Sequence, residues 1–146
     1  MMIMQRELKI LMVEDTEEHG MLMKRALGRG KLKPRLFWIK DGKAALDFLY
    51  NRGNYIDREV NPKPDLILLD LKLPKVSGLE ILEQIKGEKR LRDIPVAVLT
   101  ASDEGNDIIR SYQGGAVSYF TKSTLFLNKG ADATVILDTI MAMAGV

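Results

Sequence analysis

Apolar residues occur along this chain in two patterns: short, nearly unbroken runs, and longer segments in which they recur every three or four positions. Unbroken runs of this length are typical of strands buried on both faces of a parallel sheet, and the second pattern is typical of amphipathic helices. We predict five strands, which are Leu8–Val13, Leu36–Ile39, Leu66–Leu69, Pro95–Leu99 and Val117–Thr121.

A helical segment follows each predicted strand. In the first helix, which we expect to end near Gly28 and Gly30, the apolar residues at helical spacing are Met21, Leu22, Ala26 and Leu27. The inward positions expected in the second and third helices are Ala44, Ala45, Phe48 and Leu49, and Leu79, Leu82 and Ile85. A short fourth helix is predicted around Ile108–Tyr112, and a fifth over Ala131–Met143 with Val135, Ile136, Ile140 and Met143 inward. The polar stretch Gly53–Pro64 is predicted to be a loop.

The alternation of strands and helices predicts an α/β fold, in which right-handed crossovers build a parallel sheet with helices on both faces. The chain has 146 residues, of which 46% are apolar and 29% charged, and this is enough for one domain with a substantial core. We therefore expect a single domain over residues 1–146, without an output domain. In open sheets of this kind, ligands bind at the carboxyl ends of the strands, where the strand order reverses.

Composition and charge exclude several classes of function. The chain has no cysteine and one histidine, which excludes disulfide scaffolds, thiolate metal sites and multi-histidine zinc sites. The net charge is +2 and the basic residues are scattered, so we expect no direct binding to nucleic acid. The apolar runs are far shorter than the ~20 residues of a membrane span, and the N-terminus lacks a signal-peptide pattern. We expect a cytoplasmic protein without membrane contact.

Polar side chains follow four of the predicted strands: Glu14 and Asp15, then Asp70, then Thr100, then Lys122. Because the carboxyl ends of parallel strands share one edge, we expect these groups to converge in one cleft. Crowded carboxylates favour a bound cation, and oxygen ligands suit Mg²⁺. A carboxylate can also be the nucleophile that forms an aspartyl phosphate. Phosphoryl transfer needs positioning, a divalent ion and a fixed cation, and here Lys122 would supply that cation and Thr100 a hydroxyl donor.

Each of these residues alone has a simpler interpretation. The pair Glu14-Asp15 could be a helix N-cap that complements the helix dipole, Asp70 could be another cap, and Lys122 could be a surface lysine. Their joint position at one edge of the sheet favours a functional site. For His19, in the first turn of the first helix, we expect an exposed helix residue, and for most methionines and for Trp38 we expect packing roles.

Four motifs resemble the CheY-like receiver domains of two-component response regulators: ILMVEDT, LILLDLKLPKVSGLE, VAVLTAS and YFTKS. They cover nearly the whole chain in the family's order. The resemblance implies a flavodoxin-like, doubly wound sheet with strand order 2-1-3-4-5. It also implies that Asp70 is the phosphoacceptor, and that Mg²⁺ is held by Glu14, Asp15, Asp70 and the backbone carbonyl of Lys72.

The same resemblance assigns the remaining roles. Lys122 would bind the phosphoryl group, Thr100 would move toward it, and Tyr119 would be the switch aromatic that rotates inward. The phosphoryl donor would be a histidine kinase, and hydrolysis would reset the switch, so we expect no enzymatic activity beyond the protein's own phosphorylation and dephosphorylation. The output would be a downstream protein or a phosphotransfer protein, and a homodimer through the face around Tyr119 is a further hypothesis.

Two features depart from the usual family pattern. Ser123 follows Lys122 where most receivers have a proline, which leaves open whether the bond between them is cis or trans. The long loop GNYIDREVNPKP also lengthens the interval from Asp15 to Asp70. Together with DLILLDLKLP and TKS, this loop resembles the single-domain response regulators that serve phytochrome-type histidine kinases.

Three alternatives belong to other functional classes. A phosphatase of the haloacid dehalogenase type also uses a nucleophilic Asp and Mg²⁺, but it needs a second Asp two residues later, where this chain has Lys72. A flavodoxin that binds FMN would need a phosphate loop, whereas Glu14 and Asp15 would repel a phosphate. A receiver that acts only as a phosphorylation-independent adaptor would not require the complete acidic set.

Overall fold

The computed structural model describes residues 7–30, 33–101, 104–123, 131–143 and 145. The strands are β1 (Lys9–Val13), β2 (Arg35–Ile39), β3 (Leu66–Leu69), β4 (Val96–Thr100) and β5 (Ser118–Thr121). The helices are α1 (Glu17–Gly28), α2 (Gly42–Tyr50), α3 (Gly78–Gly87), α4 (Gly105–Gln113) and α5 (Ala131–Met143), and a short 3₁₀ helix spans Gly53–Tyr55. All five predicted strands and helices are present, and their ends coincide with the predicted ones or differ by up to three residues.

The five strands form one parallel sheet in the order β2-β1-β3-β4-β5, which confirms the flavodoxin-like topology. The register sets the positions of the residues that follow the strands. Val13, the last residue of β1, is paired with both Ile39 and Leu69. The next residues along β1 and β3, Glu14 and Asp70, therefore leave the sheet side by side.

Alternate residues of each strand bury their side chains on opposite faces of the sheet, as the period of two requires. On one face Leu11, Ile67 and Val98 pack with α2 and α3. On the other face Met12, Leu68 and Leu99 pack with α1 and α5. From Ile10 onward, the side chains of the three central strands are 0–2% exposed, which explains why the sequence shows apolar runs there.

The buried face of α1 differs from the predicted one. Met21 and Leu22 are 39% and 36% exposed, whereas Met23, Ala26 and Leu27 are buried. The reason is Gly20, because a Cβ at this position would overlap the ring of Trp38. The close approach of α1 to this ring turns Gly20 and Met23 inward and Met21 and Leu22 outward.

The last helix agrees with the prediction where its side chains are described. Ile140 is buried, together with Leu137 and Met141. The predicted inward side chains of Val135, Ile136 and Met143 lie outside the described residues. In the described part of the chain, no helix is long and apolar enough to span a membrane.

The predicted loop between α2 and β3 has its own hydrogen-bonded structure. Asn51 ends α2 with φ of 52°, and its Nδ2 donates to the backbone carbonyls of Tyr55 at 3.1 Å and Asn61 at 2.8 Å. The ring of Tyr55 also lies edge-on against Phe48, with 5.5 Å between centroids. These contacts hold both halves of the loop against α2.

Candidate functional site

Three carboxylates meet at the carboxyl ends of β1 and β3. Glu14 and Asp70 are buried, Asp15 is exposed, and one oxygen from each lies within 4.8 Å of the other two. The prediction that these side chains converge is therefore confirmed. Three hard oxygen ligands so close together, open to solvent at Asp15, match the donor set of a divalent cation that keeps some of its waters.

Lys122 lies between the two buried carboxylates. Its Nζ is 2.5 and 2.8 Å from the oxygens of Glu14 and 2.8 Å from Oδ2 of Asp70. The side chain is 7% exposed, so the ion pairs lie away from solvent. Register explains this position, because Thr121 pairs with Thr100 at the end of the sheet and Lys122 follows directly. The surface-lysine interpretation is wrong.

The pKa values of the two buried acids, Glu14 and Asp70, are shifted in opposite directions. Burial raises the pKa of Glu14 to about 8, and the neighbouring Asp70 adds to this shift while Lys122 opposes it. Burial also acts to raise the pKa of Asp70, but hydrogen bonds with Glu14, Lys122 and Thr100 outweigh it and lower the pKa of this carboxyl. The pKa of Lys122 is raised despite burial, because Asp70 and Glu14 stabilise its ammonium. Without a cation, Asp70 is thus the acid that stays ionised at neutral pH.

Asp70 is held by two elements besides the lysine. Its Oδ1 accepts a hydrogen bond from the backbone N–H of Lys72 at 3.2 Å. Thr100, fully buried at the end of β4, hydrogen-bonds with the Asp70 carboxylate. The side chain of Lys72 is exposed, so its backbone contributes to the site while its ammonium stays at the rim.

The prediction that His19 is only an exposed helix residue is wrong. Its side chain is 34% exposed, and its Nδ1 lies 3.1 Å from Nζ of Lys122 and 3.4 Å from Oε1 of Glu14. His19 is in the first turn of α1, which begins two residues after Asp15, and this position places its ring beside Glu14. This position next to the acidic pair was the signal that could have identified it.

Trp38 is a second residue with an unanticipated link to the site. Its Nε1–H donates a hydrogen bond to the backbone carbonyl of Glu14 at 2.8 Å. The indole also packs on the α1 side of the core, as predicted from its position in the second strand. Trp38 therefore holds the backbone at the end of β1, where Glu14 and Asp15 follow the strand.

Tyr119 and Ser123 complete the set singled out from the sequence. Tyr119, on β5, is half-buried and packs against the core on the α2–α3 face. No cis peptide bond occurs within the described ranges, so the bond between Lys122 and Ser123 is trans. Although no proline follows it, Lys122 contacts both buried acids, Glu14 and Asp70.

Comparison with known proteins places this arrangement in a family. Residues 10–128 match the family model described as the response regulator receiver domain. The chain is 45% identical over 119 residues to the probable methanogenesis regulatory protein FilR2 of Methanothrix harundinacea, covering 80% of this chain and 73% of that protein. It is 43% identical over 114 residues to response regulator Rcp1 of Synechocystis sp., covering 78% and 76% of the two chains.

Solved structures show the same similarity. The crystal structure of the Mn²⁺-bound form of Rcp1 superposes with a TM-score of 0.80 at 39% identity, covering 88% of this chain and 91% of that one. The phosphorylated cyanobacterial phytochrome response regulator RcpA superposes with a TM-score of 0.81 at 34% identity, covering 93% and 92%. These matches confirm the resemblance to phytochrome response regulators and give no support to the phosphatase alternative.

Proposed function

Because the chain belongs to the response regulator receiver domain family, we propose that Asp70 accepts a phosphoryl group from a histidine kinase. The protein is a receiver domain of two-component signalling. The proposal concerns which residues carry out the reaction and which ion and partners take part.

The observation that carries this proposal is the contact of Lys122 with both Asp70 and Glu14. Oδ2 of Asp70 accepts a hydrogen bond from the Lys122 ammonium at 2.8 Å, and Oδ1 accepts one from the backbone N–H of Lys72 at 3.2 Å. A lowered pKa keeps Asp70 ionised, as a nucleophile requires. On transfer, an Asp70 oxygen bonds to phosphorus and the donor histidine nitrogen leaves. Lys122 is then within reach of the new phosphoryl oxygens and offsets their charge.

We assign the divalent cation to Glu14, Asp15 and Asp70, with the backbone carbonyl of Lys72 as a further ligand. The oxygen-only donor set suits Mg²⁺, and the solvent-facing Asp15 allows the ion to keep waters. When bound, the ion would neutralise charge that develops on the phosphoryl oxygens. The raised pKa of Glu14 supports this assignment. Burial disfavours the ionised form of this carboxyl, and a bound divalent cation would stabilise that form.

We propose that Thr100 and Tyr119 read out the phosphoryl group. A phosphoryl group on Asp70 presents new acceptor oxygens, and the Thr100 hydroxyl is already directed to this carboxylate. A shift of Thr100 toward them would open space at the end of β4. Tyr119 lies on the neighbouring strand β5, half-buried, and would turn into that space.

The proposed partners follow from the family and from these relatives. We expect a sensor histidine kinase, of phytochrome type, as the phosphoryl donor, and a downstream protein or phosphotransfer protein as the recipient of the signal. We place the protein in the cytoplasm and expect no direct nucleic-acid binding and no membrane contact. We also propose a homodimer through the face around Tyr119. We expect no catalytic activity beyond the protein's own phosphorylation and dephosphorylation.

Intact-mass spectrometry tests the proposal directly. The full chain is treated with acetyl phosphate, with Mg²⁺ and with EDTA, and the mass is recorded over time. We expect the mass of one added phosphoryl group with Mg²⁺ and none with EDTA. Asp70→Asn should gain none, and Lys122→Gln should gain it far more slowly.

A matched control is Asp93→Asn, because Asp93 is an exposed aspartate in the turn before β4. This variant should be phosphorylated like the wild type. Circular dichroism shows whether each variant is folded. The proposal is wrong if the folded wild type gains no phosphoryl mass with Mg²⁺, or if Asp70→Asn gains as much as Asp93→Asn.

A further inference from the structure

A cavity of about 300 Å³ lies away from the Asp70 site. Its lining residues are Leu49, Asn51, Arg58, Lys63, Arg90 and Leu91. Lys63 precedes β3 and Arg90 precedes β4, so the cavity is at the amino edge of the sheet, opposite the edge that carries Asp70. The volume is at the lower end of the range of ~300–1,000 Å³ that small-molecule sites occupy.

The charged side chains that line this cavity are all positive. Three of its lining side chains are cations, and none is a carboxylate. In the described ranges, Arg58, Lys63 and Arg90 form no ion pair. Asp47, on the same helix as Leu49, instead pairs with other cations, Arg52 at 2.7 Å and Lys43 at 3.2 Å.

The loop that carries two of the cations is held in place. Asn51 donates hydrogen bonds to both halves of the loop, at Tyr55 and Asn61. Asp57, next to Arg58, accepts the backbone N–H of Glu59 at 2.9 Å, so its carboxylate stabilises the turn. A fixed loop loses little conformational entropy when a ligand binds, which favours affinity.

The remaining lining groups suit an organic ligand. Leu49 and Leu91, which are 5% and 2% exposed, form the base of the apolar wall, and the aliphatic parts of the lining cations complete it. Both hydrogen atoms of the Asn51 amide are donated to the loop, and its Oδ1 accepts no hydrogen bond from the described residues. The cavity thus combines an apolar wall, one free amide acceptor and three cations.

We propose that this cavity binds a small organic phosphate of the nucleotide class. The guanidinium groups of Arg58 and Arg90 match phosphate oxygens with paired donors, and Lys63 adds a compact charge. The ring system of the ligand would pack on this apolar wall, and a ring amino group would donate to Oδ1 of Asn51. The long loop that distinguishes this chain from most receivers therefore forms a second ligand site.

Isothermal titration of the full chain with AMP, adenosine and inorganic phosphate tests this inference, with the ¹⁵N spectrum recorded for each ligand. We expect AMP to bind about tenfold or more tightly than either fragment, because it uses both the cations and the apolar wall. The largest shifts should fall on the amides of Asn51, Arg58 and Leu91. Arg58→Gln/Arg90→Gln should weaken AMP binding by about tenfold or more.

The matched control is Lys89→Gln/Arg92→Gln, which removes two exposed cations flanking Arg90 that do not line the cavity. It should bind AMP like the wild type, as should Asp70→Asn, so the result is independent of the phosphorylation chemistry. The four substituted cations are exposed, and thermal unfolding checks that every variant, including Asp70→Asn, is folded. The inference is overturned if AMP does not bind, if inorganic phosphate binds as tightly, or if both double variants weaken binding equally.

Discussion

The imidazole Nδ1 of His19 lies 3.1 Å from Nζ of Lys122, the same ammonium that donates to Oδ2 of Asp70 at 2.8 Å. A lysine ammonium can only donate, so Nδ1 is the acceptor in this contact. The three hydrogen atoms of the ammonium are thus matched by Glu14, Asp70 and His19. A helix residue outside the acidic cluster helps to set the position of the cation that the site requires.

We predict that His19→Ala lowers the free energy of unfolding by about 1 kcal/mol, because a charge-assisted hydrogen bond to a half-exposed ring is lost. Urea denaturation in EDTA measures this change. Glu18→Ala is the control, since Glu18 is an exposed neighbour on the same turn of α1 and its replacement should change stability far less. Equal effects of the two substitutions would show that His19 does not stabilise Lys122.

Glu14→Gln should make the metal-free protein relatively more stable as the pH rises. The folded-state pKa of Glu14, about 8, lies above its ordinary value of 4.5, so the folded chain holds this proton more tightly than the unfolded chain does. Stability from this group is complete below pH 4.5 and is lost as the pH rises toward 8. Glutamine keeps the hydrogen-bonding groups of the protonated acid and does not titrate.

Urea midpoints of wild type and Glu14→Gln in EDTA at pH 5.5 and pH 8.5 measure this difference. The advantage of the variant should be larger at pH 8.5. The control is Glu80→Gln on the exposed side of α3, whose difference from wild type should not change over this range. A Glu14→Gln advantage that is constant or shrinks with pH would mean that Glu14 is ionised in the metal-free protein.

Gly78→Ala should destabilise the fold by about 1–3 kcal/mol, because a Cβ there would overlap the backbone carbonyl of Asp70 and force the first turn of α3 away. Gly87, at the other end of the same helix, has open space around its Cβ position, so Gly87→Ala should be neutral or stabilising by up to about 1 kcal/mol. Thermal unfolding of both variants compares them. Similar melting temperatures for the two would contradict the close approach at Gly78.

Trp38 fluorescence should report on the metal site, because the indole N–H is bonded to the carbonyl of Glu14 and the chain has one tryptophan. Adding Mg²⁺ to the wild type should give a saturable change in emission. The change should vanish in Glu14→Gln/Asp15→Asn and persist in Glu80→Gln/Glu83→Gln, a pair of exposed acids on α3. An Mg²⁺ response that survives loss of the acidic pair would place the ion elsewhere.

Much of the fold follows from local sequence pattern. The apolar runs of β1, β3 and β4 are unbroken because each strand is covered on both faces, and their polar ends identify the edge where Glu14, Asp70 and Thr100 meet. Ser77 also caps α3 by accepting the N–H of Glu80 at 3.3 Å, a contact between residues three positions apart. These features depend on neighbours in sequence or on the common direction of parallel strands.

The features that could not be predicted depend on contacts between distant segments. The outward side chains of α1 were misassigned because Gly20 packs on Trp38, and apolar periodicity alone does not reveal a glycine in contact with a ring. The position of His19 next to the acidic pair could have been recognised, but its contact with Lys122 could not, because the two residues are 103 positions apart. The cavity likewise requires the long loop with Arg58 and the segment after α3 with Arg90 to line the same space, although they are distant in sequence.

Mapping the modified residue tests the central claim most directly. After treatment with acetyl phosphate and Mg²⁺, borohydride reduction converts an aspartyl phosphate to homoserine, and trypsin releases the peptide Glu59–Lys72. This peptide contains two aspartates, Asp65 and Asp70, which fragmentation in the mass spectrometer distinguishes. We predict homoserine at Asp70 alone, dependent on Mg²⁺. Homoserine at Asp65 or at Asp15, with Asp70 intact, would contradict the assignment of Asp70 as the phosphoacceptor.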